Sequence, residues 1–140
     1  MRINELSVGD FVMFDGSPYV IEEVSEKGWA HIKDIKTGIR IPMTTDFIIG
    51  VIEGVPMSRR ILRKNRFECH TKDSFYTCDS DGAAITVYYW GGRKMGKITL
   101  DPMFLLSVKG ADFSVSFYVE YVHQLQHALR LLGLTKEVVL

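Results

Sequence analysis

The end of the chain constrains the fold most. Phe113, Val115, Phe117 and Val119 alternate with Ser114, Ser116 and Tyr118, the period of a β-strand with one covered face. The period then changes. Val122, Leu125, Leu129 and Leu132 fall at i, i+3, i+7 and i+10, so they share one side of an α-helix. Gly133, just past that stripe, is the usual left-handed helix stop. A strand that runs into an amphipathic helix hides both apolar stripes only if the helix folds back across a sheet. Burying four aliphatic side chains is worth about 1.5–3 kcal/mol each as an upper bound. That rivals the net stability of a small domain, about 5–15 kcal/mol.

The chain has 140 residues, enough for one ordinary domain or two very small ones. Its hydrophobic fraction of 46% and charged fraction of 24% are those of a globular protein. Lys plus Arg and Asp plus Glu both number 17, so no global charge drives it to nucleic acid, an acidic partner or an anionic membrane. Near-neutrality also weakens repulsion between copies. There is no apolar run of membrane-spanning length. The start, MRINELSVGD, lacks the basic head and apolar core of a signal peptide. A cytoplasmic protein is expected, with Cys69 and Cys78 as reduced thiols, although a bridge between neighbouring strands stays open.

The first half reads as short strands punctuated by turns. Residues 11–14, 19–24, 29–34, 39–43 and 47–52 are the strand candidates, with a helical turn at 44–46 before the last. Asp15-Gly16, Gly28 and Lys36-Thr37-Gly38 supply turn chemistry. Five short strands in about fifty residues suggest a small antiparallel barrel over 1–56, and the segment resembles an SH3-like or KOW-type barrel. Ser58 as N-cap, with Ile61 and Leu62 inward, marks a short basic linker helix over 57–66. Strand character resumes at 75–78, 84–90, 97–100, 103–108 and 113–119, with a strong turn at Asp79-Ser80-Asp81-Gly82. Residues 67–140 thus predict an antiparallel sheet packed by the C-terminal helix, with 137–140 as a final edge strand. The fold class is α+β, mostly β.

No reaction motif stands out. His123 and His127 have the i, i+4 spacing of two metal ligands on a helix, but Gln124 occupies the place of the catalytic Glu in H-E-x-x-H, and an amide is no general base. Two imidazoles also fall short of a tetrahedral set, so neither a metal nor any other cofactor is expected. On the helical wheel both point away from the leucine stripe, towards solvent or a partner, and Leu131 joins them there. His123, His127 and Leu131 are therefore the expected interaction surface. Arg59, Arg60, Arg63, Lys64 and Arg66 form a basic cluster suited to phosphates, with Trp29, Tyr19 and Phe47 as stacking platforms. The bland alternative is a solvated helix paired with local acids.

Gly91-Gly92 and Gly96 match no phosphate loop. Tyr88-Tyr89-Trp90 reads most simply as a core strand. Cys69 and His70 are adjacent on a strand, so they point to opposite faces and are badly placed for mutual activation. Asp79 and Asp81 belong to a turn.

Three segments carry a resemblance: VGDFVMFDGSPYVIEEV at the start, VIEGVPMSRRILRKNRFE at the junction, and YVEYVHQLQHALRLLGL at the end. Together they resemble a group of short proteins from gut anaerobes and their phages that open on a VGD-type strand and close on a V-H-x-L-Q helix. Val122, His123, Leu125 and Gln126 fit the closing motif, whereas Asn65-Arg66 stands where the group carries Asn-Gly. The resemblance implies a small cytoplasmic or phage-encoded protein and supplies no activity. The expected function is non-catalytic: a self-associating binding protein, with protein partners and no membrane. A nucleic-acid-binding accessory role through Arg59, Arg60, Arg63, Lys64 and Trp29 is the alternative, and a metal-assisted enzyme at His123 and His127 the weaker one.

Overall fold

A computed structural model describes residues 6–44, 47, 50–70 and 74–140. Among these the chain is mostly β and divides into two compact units. The first comprises 1–56 with 121–123, the second 57–120 with 124–140. The basic helix thus falls inside the second unit.

The first unit is a five-stranded antiparallel sheet of β1 (Phe11–Phe14), β2 (Ser17–Val24), β3 (Trp29–Asp34), β4 (Arg40–Thr44) and β5 (Ile52–Gly54). Its order, β4-β3-β2-β1-β5, is a meander whose last strand returns beside the first. The β1–β2 loop is only Asp15 and Gly16, with φ of 49° and 75°. Two left-handed residues give the loop the hand that matches strand twist, which is why Asp-Gly closes it. At the β3–β4 turn, Asp34 Oδ1 accepts from the Lys36 and Thr37 amides at 2.8 and 3.1 Å. Val12, Tyr19, Ile21, Ala30, Ile32, Met43 and Ile52 form the core, flanked by Leu6, Phe14 and Ile41. The VGD opening has a structural role: the Asp10 carboxylate is fully buried and accepts from the Ser7 amide at 2.7 Å.

In the second unit Ser58 caps α1 (Arg59–Lys64), accepting from the Ile61 amide at 3.2 Å, and Ile61 and Leu62 are buried. The helix ends with the Phe67 amide on the Leu62 carbonyl and the Arg66 amide on Arg63, a Schellman pattern. Arg66 takes the left-handed position at φ 64°. The sheet that follows has β6 (Glu68–His70), β7 (Phe75–Ser80), β8 (Ala83–Trp90), β11 (Met103–Lys109) and β12 (Ser114–Val119), in the order β12-β11-β8-β7-β6. A separate hairpin, β9 (Arg93–Met95) with β10 (Ile98–Leu100), is inserted between β8 and β11. Asp81-Gly82, again with both φ positive, closes β7 onto β8. Tyr76, Ile85, Val87, Phe104, Leu106, Val108 and Val119 make a buried inner face. The terminal helix α2 (Val122–Leu131) buries Val122, Leu125 and Leu129, and a second Schellman pattern closes it around Gly133.

Three expectations are corrected. Residues 47–52 do not form one strand: Phe47, Gly50 and Val51 are helical, and the strand is Ile52–Gly54. Thr45 and Asp46, part of the expected helical turn, lie outside the described residues. The clean alternation at 113–119 is only half covered, because Phe113 and Phe117 are each 37% exposed at the sheet edge. Residues 137–140 form no strand. Instead the Asn65 side-chain amide makes both a donor and an acceptor bond to the Val139 backbone, at 2.8 and 2.7 Å, taking the place of a neighbouring strand.

The tail is also held at the β7–β8 tip. The Asp81 carboxylate accepts from the Thr135 amide at 2.6 Å and the Thr135 hydroxyl at 2.8 Å. These bonds, led by the backbone one, hold its pKa below the ordinary value. A depressed folded pKa means the latch is present above the unfolded value and lost as pH falls through the folded one. Protection of the amides of residues 134–140, their exchange measured against the intrinsic rate at the same pH, is therefore expected to fall on acidification below about pH 4. In Asp81→Asn that protection should already be low at neutral pH and show no such fall.

Candidate interaction surface

Strand register assembles a row no local pattern shows. On the face of the second sheet opposite its buried residues, His70 pairs with Phe75, Phe75 with Tyr88, Tyr88 with Leu105, and Leu105 with Tyr118. Paired residues on neighbouring strands share a face, so one rung of large side chains crosses all five strands. The rings touch in sequence: His70 stacks on Phe75 at 5.0 Å, Phe75 lies 6.0 Å from Tyr88, and Tyr88 6.3 Å from Trp90. Trp90 pairs with Met103 to start the next rung. Tyr88, Trp90, Met103 and Tyr118 are 41%, 36%, 48% and 61% exposed. At roughly 200 Å² for a large side chain, these four leave on the order of 400 Å² of mainly apolar surface open. A patch of this size is comparable to the largest on a typical monomer, which is often functional.

The same face is graded. The rung on the other side of the aromatic one is Glu68, Thr77, Thr86, Ser107 and Ser116, with the Ser116 and Ser107 hydroxyls 3.2 Å apart. At the sheet end, a cavity of about 340 Å³ is lined by Asp101, Pro102, Met103, Tyr118, Glu120 and Gln124, among others. It shares Tyr118 with the aromatic rung, and Asp101 and Glu120 put two carboxylates in its lining. An apolar field with a polar border is the anatomy of a protein contact.

The residues expected to matter are differently placed. His123 is buried at 4% exposure and stacks on Tyr121 at 5.7 Å, so it is no surface ligand. Its neighbour Gln126 is buried too, and the side of α2 away from the leucines is covered at those positions. His127 is half-buried, while Leu131 stands out at 87% exposure. No group of three His, Cys, Asp or Glu side chains able to hold a metal occurs among the described residues. Arg59, Arg60, Arg63 and Lys64 are all exposed. The Arg59 guanidinium lies 4.8 Å from the Tyr89 ring centre, and Lys64 Nζ donates to the Leu140 carbonyl. Trp29 is 51% exposed on β3 of the first unit, whereas Tyr19 is a core residue and not a stacking platform. Cys69 and Cys78 form no disulfide, and His70 Nε2 lies 2.7 Å from the Thr77 hydroxyl.

Sequence reasoning assigned Tyr88 and Trp90 to a core strand because aromatic, β-branched runs are strand formers wherever they sit. The overlooked signal was the alternation itself: if Ile85, Val87 and Tyr89 face inward, Tyr88 and Trp90 must face outward.

The chain matches no protein-family model, no curated protein and no solved structure. No helix among the described residues is long and apolar enough to cross a membrane.

Proposed function

We propose that this chain is a non-catalytic interaction protein that self-associates through the outward face of its C-terminal sheet. The observation that carries the reading is the outward-facing rung Phe75–Tyr88–Leu105–Tyr118, of which Tyr88 and Tyr118 are exposed, with exposed Trp90 and Met103 beside it. Two such faces stacked against each other would form a sandwich interior, about 10 Å thick, from surfaces that are now wet. A second copy is the favoured occupant because the formal net charge is zero, so like copies do not repel. The partner is thus protein. The setting is cytoplasmic, where the resemblance to short proteins of gut anaerobes and their phages puts it.

Sedimentation velocity across a concentration series tests this. The wild type is expected to associate, and Tyr88→Ser/Trp90→Ser to associate at least about tenfold more weakly, the loss of 1.4 kcal/mol or more expected when two large aromatics leave a contact. Equal association of the two proteins would sink the reading. So would a wild type that stays monomeric throughout.

A further inference from the structure

Natural sheets protect their edges, because an unpaired row of backbone N–H and C=O groups is a template for another strand. Three of the four edges of the two five-stranded sheets carry such protection. β4 has Pro42 and Arg40; β5 is three residues long with Glu53; β6 is three residues long with Glu68. The fourth is different. β12 reads SVSFYV, six residues with no charge, proline or glycine, and its register with β11 runs unbroken from Phe104–Val119 to Lys109–Ser114. No strand among the described residues pairs with its other side. Ser114, Ser116, Phe117 and Tyr118 on it are all exposed.

We infer that β12 is a joining edge, pairing antiparallel with β12 of a second copy to make one continuous ten-stranded sheet. The inference rests on the self-association reading and adds a second contact of a different kind, made by backbone hydrogen bonds and not by the aromatic face. An antiparallel pair of identical strands is two-fold symmetric and satisfies both edges at once. Because side chains alternate strictly, a two-fold joint keeps outward residues outward only when it is centred on a residue, Ser116 or Phe117. Either centre brings no like charges together, since the strand has none. Either also carries the Tyr118 rung of one copy on towards that of the other, and covers the exposed edge of Phe117.

The test pairs Ser114→Lys/Ser116→Lys with the face variant Tyr88→Ser/Trp90→Ser and a Ser116→Thr control. Both serines are exposed, so the folded monomer should survive, which thermal melting checks. At position 116 the introduced ammonium groups of two copies lie opposite or diagonal to each other, and like charges there oppose pairing. The lysine variant is expected to lose about tenfold or more in association (1.4 kcal/mol per decade), with Ser116→Thr unchanged. In the wild type, amide exchange at 114–119 should slow as protein concentration rises, and in the lysine variant it should not. The inference is overturned if the lysine variant associates like wild type, or if those amides ignore concentration. If instead the lysine variant fails to associate while the face variant matches wild type, the edge stands and the face reading falls. Protection that appears only with a heterologous peptide, and never with concentration, would replace the second copy by a different partner and overturn the inference as stated.

Discussion

Leu125→Ala is expected to cost about 2–5 kcal/mol, the range for deleting a fully buried leucine and leaving a cavity behind it. Leu125 is 0% exposed, near the middle of α2, with Val122 and Leu129 on the same stripe and equally covered. Close-packed surroundings relax only partly into such a vacancy, so the cavity term adds to the lost burial. A total stability of about 5–15 kcal/mol makes this a large fraction. In urea denaturation the midpoint should fall with little change in slope. Leu131→Ala on the same helix, at 87% exposure, should change stability by no more than about 0.5 kcal/mol. Equal effects at the two positions would mean that the stripe is not what fastens the helix.

Gly54→Ala should destabilise the first unit by about 1–3 kcal/mol, the usual cost of overpacking a filled site. A Cβ at Gly54 would sit 2.5 Å from Cγ and Cδ1 of Tyr121 and 3.0 Å from its Cβ. These atoms are the root of the side chain, so rotating the ring does not clear them. The backbone at Tyr121 is itself fastened: it bridges Pro56, and the adjacent Val122 amide donates to the Val55 carbonyl at 2.8 Å. Gly54 pairs with Val12 of the core, so displacement is passed to β1. The check is equilibrium unfolding of Gly54→Ala, Tyr121→Ala and the double variant. The double variant should recover part of the loss, because truncating the tyrosine removes the collision. Strictly additive losses would mean that the two residues do not collide.

Gly54 also shows why parts of the fold are illegible in one dimension. Glycines at left-handed turn positions, such as Gly16 and Gly82, announce themselves through the Asp before them and the strands on either side. At Gly54 the requirement is set by a ring 67 residues further along, and nothing nearby encodes it. The fate of His123 has the same origin. A helical wheel divides α2 into a leucine side and another side, but it does not say what lies against the second. Here His123 belongs to the first unit and is buried, while Leu131, about two turns on, is not. Helical periodicity therefore placed Val122, Leu125 and Leu129 correctly and misplaced His123.

The outward rung divides in the same way. Alternation in β8 sends Tyr88 and Trp90 to one face, and that much is contained in consecutive residues. That Phe75, Leu105 and Tyr118 stand beside them depends on the registers of three strand pairs, and Phe75 and Tyr118 are 43 residues apart. The basic cluster around α1 was legible as a cluster, with its Ser58 cap and buried Ile61 and Leu62, because those are local properties. That Arg59 covers Tyr89 and Lys64 reaches Leu140 was not.

The amino-acid order by itself determined the pieces: Asp-Gly hairpins, the serine cap, left-handed helix ends and the two periodicities. Each depends on torsions and neighbours within a few residues. Only the folded chain decided which faces are covered, which edge is left bare and which glycine has no room for a methyl group. Those outcomes depend on which distant segments come to lie against one another, and covering removes water from one apolar stripe while leaving an equally apolar one wet.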